Sequence, residues 1–137
     1  MENKINAIIT GGASGLGEAT VRKIIANGGN ASILDTQELN AKALIGELGN
    51  ACSFYHTDVT NEASISKAIS ESLKKYKYIN LVVNCAGIGI ASKVIGKEQL
   101  HDTNVFRKVI DVNLIGTFNV LKLAVEKMID NEPDNEN

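Results

Sequence analysis

The sequence predicts an α/β domain built on a parallel sheet, and three observations carry that prediction. Apolar runs too short to be helices alternate along the chain with longer stretches whose apolar residues recur at helical spacing. Glycines stand directly after several of these helical stretches, where a left-handed stop is needed. The length of 137 residues at 44% hydrophobic content suffices for one core and falls short of two. Strands alternating with helices imply right-handed crossovers, hence parallel strands with helices on both faces.

Taken in order, Ile5 to Thr10 is a short apolar run ending at Gly11-Gly12 and reads as the first strand. Leu16, Ala19, Ile24 and Ile25 fall on one helical face, and Gly28-Gly29 closes that helix at Ala26. Ala31 to Asp35 is a second strand, followed by an amphipathic helix through Leu39, Ala43, Leu44 and Leu48 with Gly49 beyond it. Ala51 to His56 is a third strand; Thr60 or Asn61 then caps a helix carrying Ile65, Ala68, Ile69 and Leu73. Ile79 to Val83 is a fourth strand, and Asn104 to Ile129 one long helix. That helix is apolar on more than one side, so a second face is expected to meet another element or subunit. Residues 1–130 form the expected domain, and the polar stretch 131–137, with the only proline, an expected tail or shortened loop.

Composition narrows the partners. Lys and Arg number 14 against 16 acidic residues, interleaved without a basic stripe, which argues against nucleic acid. Cys52 and Cys85 lie apart and outside any C-x-x-C spacing, so no disulfide framework or zinc site is expected; both read as small hydrophobes in a reducing compartment. No apolar run approaches the roughly 20 residues that span a bilayer, so no membrane partner is expected. His56 and His101 have no neighbours at metal-ligand spacing and read as structural or solvent-facing.

The chemistry concentrates between the first strand and the first helix, in Thr10-Gly11-Gly12-Ala13-Ser14-Gly15-Leu16-Gly17. Gly11 allows a tight turn, Gly15 lets the backbone approach a pyrophosphate, and Gly17 lets the helix pack closely on the strand. Free N–H groups and the positive end of the helix dipole then favour an anion there. Asp35 ends the second strand, roughly 20 residues beyond the loop, where a carboxylate accepts hydrogen bonds from adenosine ribose hydroxyls. The carboxylate favours NAD over NADP, because neither Ser14 nor Thr36 offers a positive charge to a 2′-phosphate. The plainer reading of Asp35 is a cap for the next helix. Asp58-Val59 and Asn84-Cys85-Ala86-Gly87 follow the third and fourth strands, which places both on the binding edge of the sheet, although polar residues after strands are commonly turn formers. Together these features specify a Rossmann-type doubly wound sheet that stops after four strands and the long last helix.

The combination of T-G-x-x-x-G-x-G, the acidic end of strand two, Asp58-Val59, Asn84-Cys85-Ala86-Gly87 and Asp111-Val112-Asn113-Leu114 resembles the short-chain dehydrogenase/reductase family over nearly the whole chain. Within it, the sequence is most similar to the branch acting on 3-hydroxyacyl-CoA and hydroxysteroids. The resemblance implies NAD as cofactor, with Ser14 and Leu16 near the pyrophosphate, Asp35 at the adenosine ribose, Asp58 and Val59 at the adenine, and Cys85, Ala86 and Gly87 at the nicotinamide side. It implies that Asn113 kinks the long helix and holds a proton-relay water. It further implies a homo-oligomer for the full-length form and a mitochondrial location, whereas the visible N-terminus suggests cytosol.

The same resemblance exposes a departure. The family's proton transfer uses a Ser, a Tyr and a Lys four residues after the Tyr. Tyr55, Tyr76 and Tyr78 are followed at that spacing by Val59, Asn80 and Val82. The expected function is therefore the NAD-binding half of an oxidoreductase that interconverts a secondary alcohol and a ketone. The alternatives are a non-catalytic NAD-binding module and a piece without independent activity.

Overall fold

The computed structural model describes residues 4–132. The expected tail falls largely at 133–137, outside the described residues; of its first two residues, Asn131 donates from Nδ2 to the Ile79 carbonyl at 2.7 Å. Four strands, β1 (Asn6–Thr10), β2 (Asn30–Asp35), β3 (Cys52–His56) and β4 (Leu81–Asn84), form one parallel sheet in the order β3-β2-β1-β4. The order reverses at β1: the chain winds outward through β2 and β3, then crosses to the far side of β1 for β4. The strands after β1 are added on opposite sides of it at this switch, and in sheets of this kind ligands bind at the carboxyl edge there.

Helices α1 (Gly15–Ala26) and α2 (Glu38–Leu48) cover one face, and α3 (Glu62–Tyr76) and α5 (Thr117–Met128) the other. Strand alternation sorts the core accordingly. Ile9, Ala31 and Ile33 meet Val21, Ile24, Ala41 and Leu44, while Ile8 and Leu34 meet Ile65, Ile69, Val120 and Ala124. This is the doubly wound arrangement that the alternation of elements predicts. Ser32 points into the second layer without an energetic conflict, because its hydroxyl bonds Ser72 Oγ at 2.7 Å and Ser53 Oγ at 3.1 Å.

Helix ends follow local chemistry. Asn61, one of the two expected caps, accepts from the Ser64 N–H at 3.1 Å and starts α3. Gly28 at φ +82° carries the chain away from α1. Several boundaries differ from expectation by one or two residues, and two differences stand out in the second half of the chain. β4 begins at Leu81 rather than Ile79, because Asn80 Oδ1 accepts the Asn6 N–H at 2.8 Å and a side chain replaces the ladder there. The long helix is not uniform: α4 (Thr103–Ile110) passes into a six-residue π-helical stretch, Asp111–Gly116, before α5. Asn113, where the family resemblance implies a kink, lies within this π-helical stretch, a shape common at functional sites. Among the described residues no helix is long and apolar enough to cross a membrane.

Candidate functional site

A cleft of about 590 Å³ opens at the carboxyl edge of the sheet, floored by the glycine loop and walled by the segments after β2, β3 and β4. Three of the loop's four glycines have separate reasons to be there. Gly11 has φ +62°, and a Cβ on it would stand 2.7 Å from the Ala86 nitrogen and the Cys85 carbonyl, so any side chain would push the β4 loop away. A Cβ on Gly17 would overlap the Gly11 carbonyl, which is how closely α1 sits on the loop. Gly15, at φ +55°, has nothing within 4 Å of a built Cβ; it leaves open space at the mouth of α1. Ser14 is the residue before α1, and its side chain makes no capping bond. Leu16 is 83% exposed on the rim.

Asp35 is 7% exposed and takes two backbone donors, Ala13 N–H on Oδ2 and Gln37 N–H on Oδ1, both at 3.0 Å. It therefore ties the glycine loop to the turn after β2. The plainer reading of it as a helix cap does not hold as stated, since Gln37 is the capping position of α2. Each carboxylate oxygen retains capacity to accept a further hydrogen bond, and Asp35 lines the cleft. Asp58 Oδ1 accepts from Thr60 Oγ1 at 2.7 Å and from Thr60 N–H at 2.9 Å. The Thr60 hydroxyl, and then its amide, hold the Asp58 carboxyl below its ordinary value. Val59 is buried beside it and also lines the cleft.

The β4 side is fixed by two residues standing behind the wall. Thr10 Oγ1 accepts from Cys85 N–H at 3.2 Å and Ala86 N–H at 3.1 Å, and lies 3.5 Å from Asn84 Oδ1. Asn113 clamps Ile88 at both ends, accepting its N–H and donating to its carbonyl, each at 2.8 Å. Cys85, Ala86 and Gly87 line the cleft, whereas Asn84 and Asn113 do not. Cys52 is core, as expected, and its thiol is pushed up by burial; Cys85 is not, being half-buried in the cleft wall. Of the histidines, His56 is exposed and His101 half-buried against Phe106. Among the described residues no group of three His, Cys, Asp or Glu is placed to hold a metal.

Sequence reasoning assigns roles to eleven residues that line this cleft, weighs Thr36 beside them, and misses others, among them Gln37, Thr57, Ile88, Lys108 and Val112. Gln37 was findable as a close neighbour of Asp35 in the sequence. Lys108 carries no sequence signal, because α4 brings it to the cleft from an ordinary helical position. None of the three tyrosines lines the cleft: Tyr78 donates to the Lys4 carbonyl at 2.8 Å, Tyr76 to that of Asn50 at 3.4 Å, and Tyr55 packs on the α3 layer.

Comparison with known proteins agrees with this geometry. The short chain dehydrogenase family model matches residues 5–134. The chain is 44% identical over 130 residues to 3-hydroxyacyl-CoA dehydrogenase type-2 of Homo sapiens and 43% to that of Bos taurus, in each case covering 93% of this chain and 50% of the relative. It is similar to the crystal structure of 3-hydroxyacyl-CoA dehydrogenase type-2 from Mycobacterium avium, with TM-score 0.84 and 38% identity over 94% of this chain and 50% of that one. It is similar as well to 3-ketoacyl-(acyl-carrier-protein) reductase from Brucella melitensis complexed with NADH, with TM-score 0.83 and 28% identity, over 92% and 50% respectively. The chain thus spans about half the length of the relatives it matches.

Proposed function

This chain belongs to the short-chain dehydrogenase family, and from that premise we propose that it binds NAD in the cleft as the cofactor-holding half of a secondary-alcohol dehydrogenase. The observation that carries the reading is the glycine loop. Gly15, at φ +55°, borders open space at the N-terminus of α1, where the first amides have no acceptor within the helix and Ser14 gives no side-chain cap, while Gly11 and Gly17 close the loop down behind it. The residues fit a dinucleotide. The pyrophosphate lies along Ser14 to Leu16, the adenosine ribose bonds the free lone pairs of Asp35, and the adenine rests between Asp58 and Val59. Cys85, Ala86 and Gly87 border the nicotinamide side, with Asn84 supporting them through Thr10. When bound, the nicotinamide supplies or accepts a hydride.

NAD is preferred over NADP in this reading, because the Asp35 carboxylate repels a 2′-phosphate. Neighbouring Ser14, Thr36 and Gln37 are all uncharged. The substrate is of the 3-hydroxyacyl-CoA or hydroxysteroid class, a proposal that rests on the similarity to type-2 3-hydroxyacyl-CoA dehydrogenases. Mitochondrial location and homo-oligomeric assembly of a longer form rest on family likeness alone. Asn113 as holder of a relay water rests on it too; its side-chain amide already serves Ile88, so such a water uses the capacity Ile88 leaves.

A second reading, NAD binding without turnover by residues 1–137, is favoured by one observation: no tyrosine of the chain reaches the cleft. The two readings share the binding step, and amide shift mapping with NADH tests it. Perturbations at residues 11–17, 35–37, 58–59 and 85–88 are expected; saturating NADH without shifts in those segments would refute the assignment.

A further inference from the structure

The long helix touches the loop after β3 at a place the cofactor assignment does not use. Gly116 closes the π-helical stretch and is buried. A methyl group built on it would stand 2.6 Å from Val59 Cγ2, 3.1 Å from Val59 Cβ and 3.3 Å from the Val59 carbonyl oxygen. Glycine inside a helix is locally unfavourable, so backbone preference does not explain it; the contact with Val59 does. One turn further, Asn119 is 5% exposed and donates from Nδ2 to the same Val59 carbonyl at 3.4 Å. Val120 and Ala124, both fully buried, hold this part of α5 against the Val59 layer. Val59 is thus met from the helix on its side chain and on its carbonyl, while its other side lines the cleft.

Resting on the dinucleotide reading above, we propose that Gly116 and Asn119 are positioning residues for the adenine end of the cleft. Gly116 sets how close the helix stands to Val59, and Asn119 fixes the Val59 carbonyl, so that Asp58 and Val59 face the cleft at a set height. Asn113 does the corresponding work on Ile88 at the opposite wall. One helix therefore spaces both walls, and the widened turn between Asp111 and Gly116 is what lets residues 113 and 116 reach two different loops.

The test uses Gly116→Ala, Asn119→Ala, Val59→Ala and the Val59→Ala/Gly116→Ala double variant. Each is titrated with NADH, 5′-AMP and reduced nicotinamide mononucleotide, and its amide hydrogen exchange is followed without ligand. Gly116→Ala should weaken 5′-AMP and NADH by the same factor, roughly tenfold, given how steeply function falls with small misplacements. Binding of the mononucleotide should not change. Exchange should quicken at residues 57–60 while β1 and β2 keep their protection. Asn119→Ala should act in the same direction more weakly, and it carries the test if Gly116→Ala does not fold. In the Val59→Ala background, Gly116→Ala should cost less than in the wild type, because the nearest atom it would strike, Val59 Cγ2, is gone while the Cβ and carbonyl oxygen remain. Unchanged 5′-AMP affinity in folded variants would overturn the proposal, as would equal losses for both half-cofactors that track melting temperature. A wild-type chain that binds no nucleotide refutes the dinucleotide reading and the adenine role with it, and exchange at 57–60 then decides for or against the helix-loop contact by itself.

Discussion

The two sides of β1 are built to different standards of burial. On the side of β2, the strands carry Ile8, Ile9, Ala31, Ile33 and Leu34 with essentially no exposure, and helices close both faces. On the other side, Leu81, Val82 and Val83 of β4 are only half-buried, and β4 pairs with β1 alone. Beside it, the long helix shows solvent a row of large apolar side chains, including Phe106, Leu114, Phe118, Leu121 and Val125, each roughly half exposed or more. The difference teaches where each task is done. The groups proposed to hold a dinucleotide lie on the finished side or on its border, while the open side displays a surface of the kind that partners cover.

The largest expected effect comes from asking the open side for chemistry. The purified 137-residue chain should give no NADH production from 3-hydroxyacyl-CoA above a heat-treated control. Positioned acid-base catalysis alone contributes about 10²–10⁴-fold, and no Tyr-x-x-x-Lys occurs in the sequence. Turnover by this chain would break the division of labour. On the finished side, Gly17→Ala should reduce NADH affinity by roughly 10²-fold, since α1 must move off the Gly11 carbonyl and a shift of that kind misplaces the whole loop. Fluorescence titration measures it.

Next in size is association. The bare β4 edge and the apolar helix face should make the chain self-associate at micromolar concentration, and Val82→Lys should weaken that pairing. Sedimentation at several concentrations checks it; a concentration-independent monomer with a cooperative thermal transition would show that four strands suffice. Asp35→Ala should cost NADH roughly ten- to a hundredfold, as a hydrogen bond to a charged group contributes about 1.5–3 kcal/mol. NADPH should lose less, because removing the carboxylate also removes repulsion. It should still lose something, because Ala13 N–H is left without its acceptor.

The smallest effect is a pH dependence. Thr60 lowers the Asp58 pKa in the folded state, so this pair stabilises the fold above the unfolded carboxylate range and loses that contribution as pH falls through the lowered folded value. Thr60→Val should therefore melt earlier than wild type at neutral pH, and the gap should close under acid conditions. A gap that persists unchanged at low pH would mean that packing, not the carboxylate, accounts for it.

Much of this was legible in the sequence, for a physical reason that also explains what was not. Strand length, helical periodicity and glycine stops are local, so the four strands, their helices and the loop from Thr10 to Gly17 could be read directly. Right-handed crossovers implied the parallel strands with helices on both faces. Contacts between distant segments were not readable. Thr10 looked like the last residue of a strand, yet its buried hydroxyl holds the Cys85 and Ala86 amides. Asn80 looked like part of β4 and instead replaces a ladder bond. The widened turn from Asp111 to Gly116 depends on what Asn113 and Gly116 touch elsewhere, and helical periodicity contains no trace of Ile88 or Val59.

The central claim is that the finished side of this chain holds NAD without the rest of a longer sheet. Parallel titrations of the wild-type chain with NADH and NADPH, read by cofactor fluorescence at one ionic strength, test it most directly. The account predicts saturable NADH binding with one site per chain, and weaker NADPH binding that approaches the NADH value in Asp35→Ala. No saturable binding of either cofactor to a folded chain, or NADPH binding equal to or tighter than NADH, would contradict it.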